Sequence, residues 1–331
     1  MSGSPDRGRS RRYIAGMRRR TTRLAVVSLV VLGGVVGIAG QAGGGTFPGA
    51  NGLIAYASGS NVATITPDGT VITPIASGQD PSWSADGSKI AYVRGGDLYI
   101  ADANGANELQ ITSGAALDRD PSWAPDGTHI AFAREEEADR DVAVVDVATH
   151  TVTEIITGSF QAYYPAWSPD GSKLAYRSNQ AGCSSSFCIF TANPDGSGQT
   201  ELVDSASFRA ASQPSWSPDG AEVVFVYDDD PGSEYNGGVA VVSSAGGTPT
   251  ALTDDASLNE SNPAFSPDGT FIAFVRNGVL WRMEANGSDP ATFPATVANI
   301  DGGVSWAVVA APIPPVTPVS PPLVVTPTFT G

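Results

Sequence analysis

Histidine, cysteine and basic side chains are scarce in this chain of 331 residues, and each shortage removes a class of chemistry. The two histidines, His129 and His150, have no obvious serine or cysteine partner and no Gly-x-Ser-x-Gly elbow occurs, so nothing supports a nucleophile–base pair. The two cysteines, Cys183 and Cys188, lack a second pair and the spacing of a redox motif, which argues against zinc or thiol chemistry. Eight of the 18 Lys and Arg residues precede residue 43 against the single acid Asp6, leaving 10 basic and 33 acidic residues, a net charge of −23, in the rest. Nucleic acid is therefore not an expected partner, because phosphate contacts need the opposite sign. Cations, basic protein patches and uncharged ligands stay in play, and an acidic surface also serves solubility. After residue 45 no apolar pattern of helical period is present, which excludes a helical repeat.

What is present is a phrase that returns. Pro81-Ser82-Trp83-Ser84-Ala85-Asp86-Gly87 recurs from Pro121, Pro165, Pro214 and Pro263, and each copy runs into an apolar stretch of strand type such as Ile90-Ala91-Tyr92 or Ile272-Ala273-Phe274. The aromatic falls at Trp83, Trp123, Trp167, Trp216 and Phe265, in steps of 40, 44, 49 and 49 residues, the period of a four-stranded blade. One repeat reads as strands over 81–84, 89–94, 97–101 and 108–112, with Asp86-Gly87 and Asn104-Gly105 in the turns. Leu53-Ile54-Ala55-Tyr56 is a second strand with no phrase before it, and Val304-Ser305-Trp306 a phrase with no second strand after it. Together they predict an all-β, six-bladed propeller of four-stranded blades, closed by a C-terminal innermost strand joining the N-terminal blade. The recurring aromatic is expected in the packing between blades, and the Asp-Gly pairs in turns.

Pro-x-Trp-Ser-Pro-Asp-Gly followed by an Ile-Ala-Phe type strand resembles the repeat of the TolB-type β-propellers, over roughly residues 47–309. The resemblance implies the fold and an exported bacterial setting. In TolB the propeller follows an α/β domain and docks on a peptidoglycan-associated lipoprotein; about forty-five residues precede the first strand here, so that domain is expected to be absent and TolB's particular role does not carry over.

Residues 1–45 read as a separate segment: arginines from Arg7 to Arg23, an apolar stretch over 24–39, then small residues over 40–45. This is the order of a secretory signal, with a retained membrane anchor as the competitor. The propeller is expected over 46–309 and a proline-rich, extended tail over 310–331. The protein is thus expected outside the cytoplasm, touching membrane only through the N-terminal segment, as a monomer. In that setting Cys183 and Cys188 are expected to form a disulfide across a hairpin loop, contributing only about 2 kcal/mol because the loop is short.

Propeller topology sends the first-to-second and third-to-fourth turns to one face, here the turn face. The second-to-third loops and blade crossovers go to the other, the loop face, and these are long and varied. Binding residues are expected there: Asp118, Glu135, Glu136, Glu137, Tyr163, Phe208, Arg209, Asp228, Asp229 and Asp230. The residue before each phrase, Asp80, Asp120, Tyr164, Gln213 and Asn262, is expected to ring the mouth of the central channel, where Asp80, Asp120 and Asn262 offer oxygen ligands to calcium. The function expected is non-catalytic capture of an envelope or extracellular protein or a small ligand by the acidic loop face. The alternative is a metal-dependent hydrolase or lyase working in the channel, without assigned catalytic residues.

Overall fold

The computed structural model describes residues 46–137, 139–183, 187–203, 208, 210–228, 237–254, 258–295 and 297–309. The N-terminal segment and the proline-rich tail lie outside them. Among the described residues, 24 strands form six four-stranded antiparallel sheets. Blade 1 holds β1 (Asn51–Ser58), β2 (Asn61–Ile65) and β3 (Ile72–Ser77), and blade 2 holds β4 (Gln79–Trp83), β5 (Lys89–Arg94), β6 (Asp97–Asp102) and β7 (Leu109–Gln110). Blade 3 comprises β8 (Leu117–Trp123), β9 (His129–Glu136), β10 (Asp139–Asp146) and β11 (Val152–Ile156). Blade 4 comprises β12 (Ala162–Trp167), β13 (Leu174–Ser178), β14 (Cys188–Ala192) and β15 (Thr200–Val203). Blade 5 follows with β16 (Ser212–Trp216), β17 (Glu222–Asp228), β18 (Gly237–Ser243) and β19 (Thr250–Ala251). Blade 6 has β20 (Glu260–Phe265), β21 (Phe271–Arg276), β22 (Val279–Glu284) and β23 (Ala291–Thr292). The last strand, β24 (Ile300–Val308), pairs with β1, so the chain's two ends share blade 1. The innermost strands β24, β4, β8, β12, β16 and β20 contact one another in a closed cycle.

The core lies between blades. Trp83, Trp123, Trp167, Trp216, Phe265 and Trp306 are all buried, and each packs with apolar residues of the preceding blade: Trp216 with Ala166, Ala175 and Ile189, Trp306 with Ala273 and Val275. Each blade buries its face only against its neighbours, so removing one aromatic opens an interface, at about 3–5 kcal/mol for a full truncation. Serine at the second position of the phrase ties the inner strands together. Ser82 Oγ accepts from the Trp123 amide (3.4 Å) and Ser122 Oγ from the Trp167 amide (3.2 Å), serving donors that the inner sheet edge leaves unpaired.

The aspartates of the phrase are turn chemistry, as expected. Ser84 Oγ donates to Asp86 Oδ1 (2.6 Å), which also accepts from the Ser88 amide (3.0 Å), while Ser84 Oγ accepts from the Lys89 amide (3.0 Å). The arrangement repeats at Ser168 and Asp170, Ser217 and Asp219, and Ser266 and Asp268. Residues 46–50 are fixed on the same face: the Thr46 amide donates to the Trp216 carbonyl (3.2 Å), its hydroxyl to the Phe265 carbonyl (2.9 Å), and Asn51 exchanges hydrogen bonds with Asp268.

Candidate functional site

The mouth of the channel is built by one irregularity repeated five times. Each of β4, β8, β12, β16 and β20 carries one extra residue against its partner strand, as between Gln79 and Ser82 opposite Val93 and Ala91. The residue before proline at each bulge is left-handed: Asp80 (φ 49°), Asp120 (52°), Tyr164 (49°), Gln213 (52°) and Asn262 (53°). Asp and Asn adopt that conformation readily; for Tyr and Gln it costs on the order of 1 kcal/mol or more. All five, with Asp301, Gly302 and Gly303 of β24, line one cavity of about 80 Å³. Gly302 is required for close approach, because a Cβ there would lie 2.9 Å from the Ala57 Cβ.

Electrostatics at the mouth are unfavourable to the ionised state. Burial pushes the Asp80 carboxyl up, opposed by the Gly303 amide (3.4 Å) and Arg119. Burial and then the Asp80 charge push Asp120 well above the ordinary carboxylate value. The Asp120 charge and burial raise Tyr164 in turn, so its hydroxyl stays protonated. Gln213 and Asn262 hold each other: the Gln213 amide donates to Asn262 Oδ1 (3.2 Å) and its oxygen accepts from the Asn262 backbone (2.8 Å). The ring therefore presents two paired amides, Gln213 and Asn262, and two carboxyls, Asp80 and Asp120, whose ionised forms are disfavoured. Among the described residues, no group of three or more His, Cys, Asp or Glu is placed to hold a metal ion.

The other loop-face residues separate into committed and available. Asp118 is buried and both its oxygens accept from Arg134 (2.9 and 3.0 Å), and Glu260 makes the equivalent pair with Arg276 (2.6 Å) in blade 6. Glu135 accepts from Arg140 (2.9 Å), which holds its carboxyl below the ordinary value, while Glu136 and Glu137 are exposed. Tyr163 is buried, its hydroxyl bonded to Arg140 and Gln161 (2.8 Å). Phe208 packs on Tyr227 with ring centroids 4.5 Å apart. Arg209, Asp229 and Asp230 lie outside the described residues. Cys183 is joined in a disulfide to Cys188, the first residue of β14.

Two cavities were not anticipated from the sequence. A groove of about 680 Å³ adjoins the mouth, sharing Tyr164 and Gln213 with it and adding Arg177, Phe187, Tyr227 and Asp228. On the turn face a cleft of about 850 Å³ separates blades 3 and 4, lined by His129, Trp167, Asp126 and Asp146. Blades 3 and 4 meet there through the small set Ala124, Ala131, Trp167 and Leu174. His129 is engaged locally, with Nδ1 2.8 Å from the Thr128 hydroxyl and 3.4 Å from Asp126.

Comparison with known proteins agrees with this architecture. Among curated proteins none matches the chain in sequence. In structure the chain resembles TolB from Acinetobacter baumannii at 23% identity and a TM-score of 0.65, over 77% of this chain and 66% of that one. A putative TolB from Agrobacterium tumefaciens is similar at 20% identity and a TM-score of 0.59, over 79% and 98% of the two chains. An oligogalacturonate lyase in complex with manganese shares the fold at 14% identity and a TM-score of 0.54, over 83% and 91%. At these identities the likeness is one of fold. The family model of the TolB beta propeller domain matches residues 54–301, and on that match the chain belongs to the TolB β-propeller family.

Proposed function

We propose that this protein is a non-catalytic binding propeller of the cell envelope or cell exterior that captures a protein partner through the mouth of its channel. The observation that carries the reading is the ring of five left-handed residues around one small cavity. Tyr164 and Gln213 hold a costly conformation and Asp80 and Asp120 an unfavourable charge, and such costs persist where a site needs particular groups aimed in one direction. The exposed Glu136 and Glu137 extend the acidic surface outwards, suited to steering a basic patch. The envelope setting draws on the family, on the disulfide and on the charged, apolar, small-residue order of residues 1–45.

The test is capture of the partner from an extract of the organism's own envelope, with the bound protein identified. Capture is expected to weaken with salt and with Glu136→Gln/Glu137→Gln, to be lost in Tyr164→Ala/Asp120→Ala, and to survive Asp170→Asn on the turn face. Full capture by the mouth variant contradicts the proposal. A metal-dependent lyase is the second reading, favoured by the two half-buried carboxyls that line one cavity at the mouth. It requires turnover of an acidic glycan that chelation abolishes and that Asp80→Asn or Asp120→Asn removes.

A further inference from the structure

Arg177 is anomalous on three counts. In the second strand of every blade the corresponding position is otherwise small or apolar: Ala57, Val93, Ala133, Val226 and Val275, of which Val93 and Val275 pack with residues of the next blade. A guanidinium here occupies a place where four of the other five blades bury a small or apolar side chain, Val226 being half-buried. Second, the other loop-face arginines among the described residues are matched with carboxylates: Arg94 with Glu108, Arg119 and Arg140 with Glu135, Arg134 with Asp118, Arg276 with Glu260. Among the described residues Arg177 has no such ion pair, and its Nε is buried with no hydrogen-bond partner. In a chain so rich in acids, an unmatched and largely desolvated cation is not a matter of supply. Third, the guanidinium is stacked against aromatic rings. It lies 3.7 Å from the Phe187 centroid and 5.5 Å from that of Tyr163, and Phe187 directly precedes the disulfide-bonded Cys188.

This cation lines the groove of about 680 Å³ beside the mouth, together with the apolar faces of Phe187, Val226 and Tyr227 and the polar Ser212 and Asn259. A planar guanidinium with free donors recognises an oxyanion in a fork, and the surrounding rings suit an apolar body attached to it. The charge has an upper bound. Asp228 and Glu260 line the same groove and Asp120 lies close enough to act on Arg177, so each further negative charge on a ligand is opposed and a monoanion is favoured over a dianion. We propose that the groove is a binding site for a small organic carboxylate with an apolar or aromatic body, its carboxylate seated on Arg177. The groove shares Tyr164 and Gln213 with the mouth, but the proposal does not require that a protein partner be captured there.

The experiment titrates the full chain with phenylacetate, 2-phenylethanol and phenyl phosphate, following both binding heat and thermal melting. The wild type is expected to saturate with phenylacetate within about 10 mM, to bind phenyl phosphate more weakly, and to ignore 2-phenylethanol. Arg177→Val supplies the residue that the repeat itself places at Val93 and Val275, so it is expected to melt no lower than wild type while its phenylacetate affinity falls at least tenfold; Arg177→Met is the second variant should valine disturb the interface. A structural counter-ion role predicts the reverse: a lowered melting point in both variants, restored by adding Asp120→Asn, with phenylacetate binding unchanged. That result overturns the proposal, as does a wild type that does not saturate with phenylacetate or binds 2-phenylethanol equally well.

Discussion

The turn face and the channel mouth use the same residue in opposite ways. At the turns, Asp170 accepts from the Ser168 hydroxyl and the Ser172 amide, which hold its carboxyl below the ordinary value, and Asp219 is lowered likewise by Ser217 and Ala221. At the mouth, Asp80 and Asp120 are pushed the other way by burial and, at Asp120, by the neighbouring carboxylate. Turn aspartates help the chain fold; mouth aspartates are carried by a fold that other interactions stabilise. The difference separates aspartates whose charge the fold favours from aspartates whose charge it disfavours.

The largest effect should come from breaking what both regions share. Ending the chain at Gly303 removes Val304 and Trp306 from the interface of blades 6 and 1 and leaves β1 without its inner partner. Calorimetry is expected to show loss of the single cooperative transition, and an unchanged melting point would remove the closed ring from the account. Next, Asp170→Ala takes away the acceptor for three hydrogen bonds in one turn and should lower stability by about 1 kcal/mol in urea unfolding at neutral pH. Because the folded-state value is lowered, that contribution is present above the ordinary carboxylate range and is lost as the pH falls through it. Smaller and opposite in sign, Tyr164→Asn replaces a residue unsuited to left-handed backbone by one that adopts it, and should raise stability by up to about 1 kcal/mol while weakening capture at the mouth.

The scaffold was readable because it is written five times. The phrase gave the blade period, its aromatic the inter-blade core, and the unmatched Leu53-Ile54-Ala55-Tyr56 and Val304-Ser305-Trp306 the shared first blade. The ring of residues before each proline was readable for the same reason, since a fixed offset from a repeated phrase is a fixed place in the fold. What escaped were departures from the repeat. Arg177 sits inside a strand, where reading loops for function passes over it, although aligning the second strands exposes it against Val93, Val226 and Val275. Asp118 looked available on a crossover, but the bulge in β8 brings it opposite Arg134. The cleft between blades 3 and 4, lined by Ala124, His129 and Trp167, is announced by no local motif.

The contrast between the two kinds of aspartate is tested most directly by melting Asp120→Asn beside Asp170→Asn across pH 4 to 8, a window chosen to start near the ordinary carboxylate value of about 3.9. A carboxyl whose folded-state value is raised loses stability as the pH climbs through the interval from the ordinary value to the raised one. Asp120→Asn is therefore predicted to melt above wild type at neutral pH, with the gain vanishing toward the acidic end, while Asp170→Asn melts below wild type at neutral pH. If Asp120→Asn is destabilised at neutral pH as Asp170→Asn is, the mouth aspartates are scaffold like the rest, and the separation drawn between the two faces is wrong.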